Sequence, residues 1–148
     1  MFELRTATAA DGLEIWEVFL ASRADALPYL PKVHTDADTL HWIIHELIPS
    51  RKVWVASAEG RIVGFLALNG EEIEHLYIAP AFYRRGAGSL LLSQACAVSR
   101  RLHLFTFERN TRARAFYEAH GFAAAEFNDG SRNEEHEPDV KYIWTADP

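Results

Sequence analysis

Three features of this sequence predict a mixed α/β domain. β-prone and helix-forming stretches follow one another along all 148 residues, as seven strands and four helices. Glu59-Gly60 and Asn69-Gly70 are hairpin signals that join three of the strands into an antiparallel meander. The last of those strands stops at Pro80, and a basic, glycine-bearing turn then opens a helix.

Taken in order, Phe2 to Arg5 alternates apolar and polar residues as a short strand does. Thr8 or Asp11 caps a helix over 11–26, with Leu13, Trp16, Leu20, Ala24 and Leu27 as its apolar face. Pro28 and Pro31 bracket a loop. Asp36 is expected to cap a second helix, where Leu40, Ile43, Ile44, Leu47 and Ile48 follow helical spacing and Pro49 ends the run. Strands follow at 53–56, 62–68 and 73–78, then a helix from Gly88 to about Arg100 and a strand over 102–107. Asn110 or Thr111 caps a fourth helix, which Gly121 ends. Strands over 122–127 and 140–144 flank an acidic loop, and no linker or repeat divides the chain, so residues 1–148 read as one domain.

Bulk composition narrows the function classes. A net charge of −6 argues against nucleic acid as the main partner, because phosphate binding wants a basic face. No apolar run approaches the roughly 20 residues that cross a bilayer, so no membrane role is expected. The single cysteine, Cys96, cannot form an internal disulfide, and the first residues hold no apolar signal core; a cytoplasmic protein is expected. His41 and His45 have the spacing of a metal pair, but no third ligand accompanies them, and no metal is expected.

The stretch from Glu72 to Leu92 holds the chemistry. A helix opening on Gly86-Ala87-Gly88-Ser89 leaves its first N–H groups free beside Arg84 and Arg85, which is a site for a phosphate or pyrophosphate. Neither a dinucleotide fingerprint nor a P-loop is completed there. Glu72 and Glu74 alternate with Ile73 and His75, so both carboxylates, Leu76 and Ile78 are expected on one side of the strand and His75 on the other.

The run LYIAPAFYRRGAGSLLL resembles the acetyl-CoA-binding segment of the GCN5-related N-acetyltransferases (GNAT), and ERNTRARAFYEAHGF resembles a second signature of that family. The family usually has Gln or Arg where Tyr83 stands, and often Gly at Arg84. The resemblance covers essentially the whole chain and implies a central, mostly antiparallel twisted sheet of about seven strands flanked by four helices. It implies an N-acetyltransferase that moves the acetyl group of acetyl-CoA directly to a primary amine of a small molecule or peptide, with no metal. Amides of Arg85, Gly86, Ala87, Gly88 and Ser89, with Arg84 beside them, would hold the pyrophosphate. Leu76, Tyr77 and Ile78 would line the pantetheine arm, and Asn110 would hydrogen-bond it.

An alkylammonium titrates near the lysine value of about 10.4, so a proton must leave before attack. The resemblance puts the base four or six residues before Ile78, which leaves Glu74, Glu72 or a water relay open, and makes Tyr117 the proton donor to the departing thiolate. Tyr29, His34, Glu134 and Glu135, on the two loops beside the implied acceptor site, are the substrate-binding candidates. A homodimer is compatible with such a fold. A non-catalytic acyl-CoA-binding or sensing domain, another acyl-CoA, and an oxygen acceptor are the alternative readings.

Overall fold

Short β-prone runs joined by tight turns build the sheet, as the sequence predicts. The computed structural model describes residues 1–147. Strands β1 (Glu3–Thr6), β2 (Lys52–Ala58), β3 (Arg61–Asn69), β4 (Glu72–Ile78), β5 (Arg101–Phe107), β6 (Ala123–Asn128) and β7 (Asp139–Thr145) form one sheet in the order β1-β2-β3-β4-β5-β7-β6. Every pairing is antiparallel except β4 with β5. Helices α1 (Gly12–Ala26) and α2 (Asp36–Trp42) cover one face, where Ile15, Val18 and Ile43 pack on Val53, Phe65 and Ala67. Helices α4 (Ala87–Ala97) and α5 (Thr111–Ala119) cover the other, where Leu91, Leu92 and Tyr117 meet Leu66, Leu104 and Tyr142. Between α2 and β2 lies a last helical turn, α3 (Ile48–Ser50).

The expected elements are all present, with local corrections. The buried face of α1 is Ile15, Val18 and Ser22, and Leu13 is 54% exposed. Helix α1 is apolar on more than one side, and its neighbours decide which side is covered. Leu20 and Ala24, expected in the core, line a cleft instead. Thr35, not Asp36, caps α2: its hydroxyl oxygen accepts the Asp38 N–H at 3.1 Å. Pro49 does not end the helical run but sits inside α3. It can offer no N–H to His45, and a π-helical stretch over Ile43–Leu47 precedes it, in which Ile48 N–H reaches Ile43 O. The β3–β4 turn is Gly70-Glu71, one residue beyond the expected pair, because Asn69 itself pairs with Glu72. Helix α4 begins at Ala87 and stops at Ala97, short of Arg100.

One ion pair ties β1 to the start of α1. Arg5 donates two hydrogen bonds to Asp11, at 2.8 and 2.9 Å, and Thr8 N–H adds a third at 2.7 Å. The Arg5 hydrogen bond is the main reason the Asp11 carboxyl falls to about 2, from 3.8. A carboxyl lowered on folding stabilises the fold above its unfolded value and loses that contribution as pH falls. The loss between about pH 4 and pH 2 should be about 1–2 kcal/mol, below the full linkage value because Arg5 is half exposed. Denaturant unfolding measured over that range should show this loss in the parent protein and not in Asp11→Asn.

Candidate active site

The site begins with an irregularity in β4. Ala67 pairs with His75 and Leu68 with Ile73, so Glu74 is an extra residue, a β-bulge. The bulge shifts the alternation of side chains by one. Ile73, Leu76 and Ile78 pack on the α4 and α5 side. Glu74 and His75 both turn to the α1 and α2 side, where they line the cleft. The expected row of Glu72, Glu74, Leu76 and Ile78 is therefore broken, and His75 faces with Glu74 rather than away from it. Glu72 lies beside His103 of β5, at 3.8 Å, and is not part of the cleft wall.

Beyond the bulge, β4 and β5 part. Their parallel pairing is the single register Glu72 with His103, and His103 N–H donates to Glu71 O at 2.9 Å. On the opposite edge β4 stays paired with β3, and Ala79 N–H donates to Val63 O at 2.7 Å. Antiparallel alternation from that bond turns Tyr77 backbone groups toward β3 and those of Leu76 and Ile78 toward the gap. Tyr77 thus departs from the other two: its ring joins the cleft-side core, and its hydroxyl accepts from Arg23 at 3.3 Å.

The glycine-bearing turn closes the end of the gap. Arg84 and Gly86 take positive φ, 62° and 97°. The first helical bond is from Leu90 N–H to Gly86 O, so the amides from Arg85 to Ser89 have no backbone partner among the described residues. A Cβ on Gly88 would meet the Phe116 ring at 3.3 Å, so glycine lets α4 and α5 approach there. Arg85 lies over the Phe82 ring, 5.4 Å from its centroid. Asn110 Oδ1 caps α5, accepting Ala113 N–H at 3.2 Å, so the cap uses the amide oxygen and not the amide nitrogen. Ser89 Oγ is 2.9 Å from His120 Nε2.

On the α1 and α2 side lies a cleft of about 840 Å³. Phe19, Arg23, Trp42, Arg51, Glu74 and His75 form its inner part, and the loops holding His34, Glu134 and Glu135 form its rim. The two loops touch where His34 Nε2 is 2.6 Å from Glu134, and Arg23 of α1 donates to Glu135 at 3.2 Å. The rim acids are thus already engaged by the protein's own basic groups. Tyr29, expected in this wall, lies outside it, its ring 3.8 Å beneath the Arg109 guanidinium.

Charges in the cleft are paired closely. Glu74 accepts from Arg51 Nε at 2.7 Å and from Asn69 at 3.0 Å. Burial works to raise its pKa, but the Arg51 and Asn69 hydrogen bonds outweigh it and hold the carboxyl below the ordinary value. Glu74 is therefore a carboxylate throughout the neutral range. His75 lies among Phe19, Trp42, Phe65 and Tyr77, and burial pushes it down to about 4, so the imidazole is neutral. Tyr117 is only 8% exposed, inside the other core. Burial first, then the nearby Tyr77 phenol, raises its pKa well above the ordinary value and keeps the hydroxyl a donor.

Phe19 and Arg23 come from α1, Trp42 from the end of α2 and Arg51 from just after α3, and no local motif marks them as a group. His75 stands opposite Leu76 and Ile78, as expected; Glu74 is the residue that leaves the expected row, because a bulge has no fixed sequence signal.

Residues 49–124 match the family described as the acetyltransferase (GNAT) domain. The peptidyl-lysine N-acetyltransferase YjaB of Salmonella typhimurium is 32% identical over 84 residues, which cover 56% of this chain and 58% of that protein. This match therefore spans less than two thirds of that relative's length. The peptidyl-lysine N-acetyltransferase YiaC of Escherichia coli is 26% identical over 120 residues, 80% of this chain and 82% of that one. Among solved structures, apo YjaB from Escherichia coli has a TM-score of 0.81 at 21% identity over 99% of both chains. The PaiA N-acetyltransferase of Thermoplasma acidophilum, in complex with coenzyme A, has a TM-score of 0.75 at 18% identity over 99% of both. These two structural likenesses speak to the fold.

Proposed function

The chain belongs to the GNAT acetyltransferase family, and from that premise we propose that it moves the acetyl group of acetyl-CoA directly to a primary amine of a peptide or small molecule. The observation that supports this most is the free edge of β4 at Leu76 and Ile78, continuous with the unpartnered amides from Arg85 to Ser89. An extended amide-bearing arm ending in a pyrophosphate fits that surface, because both demands are met by backbone groups. The names of YjaB and YiaC favour a lysine side chain as acceptor.

In this reading, acetyl-CoA supplies an activated acyl carbon and a thiolate leaving group. Leu76 and Ile78 pair with its amides and hold it in line. Arg84, with the amides of Arg85, Gly86, Ala87, Gly88 and Ser89, meets the pyrophosphate. The Asn110 amide nitrogen donates to the pantetheine arm. Glu74, ionised and held by Arg51, attracts the ammonium and passes its proton through water to the open cleft. Tyr117 keeps its hydroxyl proton for the departing sulfur. Glu72, outside the cleft wall, has the weaker claim on the base role.

Thiol release from acetyl-CoA, measured against lysine peptides, polyamines and free amino acids, tests the proposal. Binding of CoA with no release toward any amine would favour the sensing alternative. Glu74→Gln should slow turnover several-fold without changing CoA affinity, since it removes the charge and keeps the shape. Equal rates in that variant would exclude Glu74 from the proton path.

A further inference from the structure

His75 is unexplained by the roles above. Its Nδ1 is buried without a hydrogen-bond partner, a costly arrangement that is rare in folded proteins. The ring nevertheless lines the cleft beside Glu74. Trp42 meets it edge-on at 5.3 Å and Phe19 at 6.1 Å. We propose that His75, walled by Phe19 and Trp42, is the seat of the acceptor's amine, and that this seat selects an amine on an apolar stem with no carboxylate beside it.

The selection follows from what surrounds the ring. With Nδ1 enclosed, Nε2 is the ring nitrogen left to a ligand, and in the neutral tautomer with its proton on Nδ1 it accepts an incoming N–H. The aromatic walls suit methylene groups and a cation. Two guanidinium groups are near, and each already holds a carboxylate: Arg51 with Glu74 at 2.7 Å, Arg23 with Glu135 at 3.2 Å. Neither is free for a substrate carboxylate. Lys32, a further cation of the cleft lining, is held by Asp36 at 2.5 Å, and Asp38 adds negative charge to the same cleft. A free amino acid would bring its carboxylate toward Glu74 with no unpaired cation to receive it; an alkylammonium on a longer stem would not.

This inference rests on the acetyl-transfer reading for its kinetic test but not for its binding test. With n-butylammonium as probe, nitrogen-15 spectra of the histidine side chains should show the His75 resonances shifting, identified by their absence in His75→Phe or His75→Gln. No shift at any concentration the protein tolerates overturns the seat. In turnover, the parent should prefer Nα-acetyl-lysine methylamide to free leucine. His75→Phe should lower kcat/KM for the lysine compound about tenfold, mainly through KM, while CoA affinity holds within about twofold. His75→Gln, which returns an acceptor near the Nε2 position, should recover most of the loss. A preference for leucine, or unchanged kinetics in His75→Phe, also overturns it. If the parent releases no thiol with either amine, the acetyl-transfer reading fails, and the butylammonium titration alone decides the seat.

Discussion

Tyr117→Phe should turn over about a hundredfold more slowly than the parent while binding CoA equally well, a loss of about 2.7 kcal/mol from the barrier. The substitution removes one atom and keeps the ring contacts with Phe116, Phe122 and Tyr142, at centroid distances of 5.3, 5.6 and 6.3 Å. Burial and the Tyr77 phenol set the Tyr117 pKa, with no hydrogen bond from the protein among the causes. The hydroxyl is thus free to serve a ligand. Stability should change by less than about 1 kcal/mol, so a rate loss can be assigned to the hydroxyl. Thiol release at saturating amine, beside CoA calorimetry, checks both halves. Undiminished turnover would return Tyr117 to a packing role.

The second large effect is expected at Gly130→Ala, in the loop between β6 and β7. Gly130 has φ +90°, and an added Cβ would lie 2.6 to 2.8 Å from backbone atoms of Glu137. Neither obstacle is a flexible side chain, and together they should cost about 3 kcal/mol or more. The loop is closed on itself by Asn133, whose amide donates to Glu137 O at 2.7 Å and accepts from Glu137 N–H at 3.1 Å. Strain at Gly130 should therefore open this loop and separate Glu134 from His34 and Glu135 from Arg23. The acceptor KM should rise about tenfold, with CoA affinity unchanged because the α4 turn is untouched. Faster amide exchange confined to residues 130–137 would identify the cause. Unaltered exchange and KM would mean that the loop tolerates the change and does not shape the cleft.

Much of the fold was legible because local periodicity reports local structure. Strand 62–68 is an unbroken apolar run buried on both faces, strand 102–107 alternates, and α5 has its own start and stop in Asn110 and Gly121, so these elements stand where the residues put them. The turn from Arg84 to Ser89 was legible for the same reason, since free amides follow from the start of any helix. What periodicity cannot report is a change of period. The bulge at Glu74 is one added residue, decided by how β4 must pair with β3 and yet part from β5. It alone brings Glu74 onto the cleft face, beside a His75 that ordinary alternation already places there.

The sequence by itself determined the order of elements, the family resemblance and the backbone surface suited to a phosphorylated cofactor, all set by short-range chemistry. Only the tertiary structure decided the acceptor side. Arg51, Glu74 and Asn69 meet across different elements, as do Arg23 and Glu135, 112 positions apart in the chain. Such pairings depend on helix rotation, strand register and loop closure, none of which is written in any single stretch of residues.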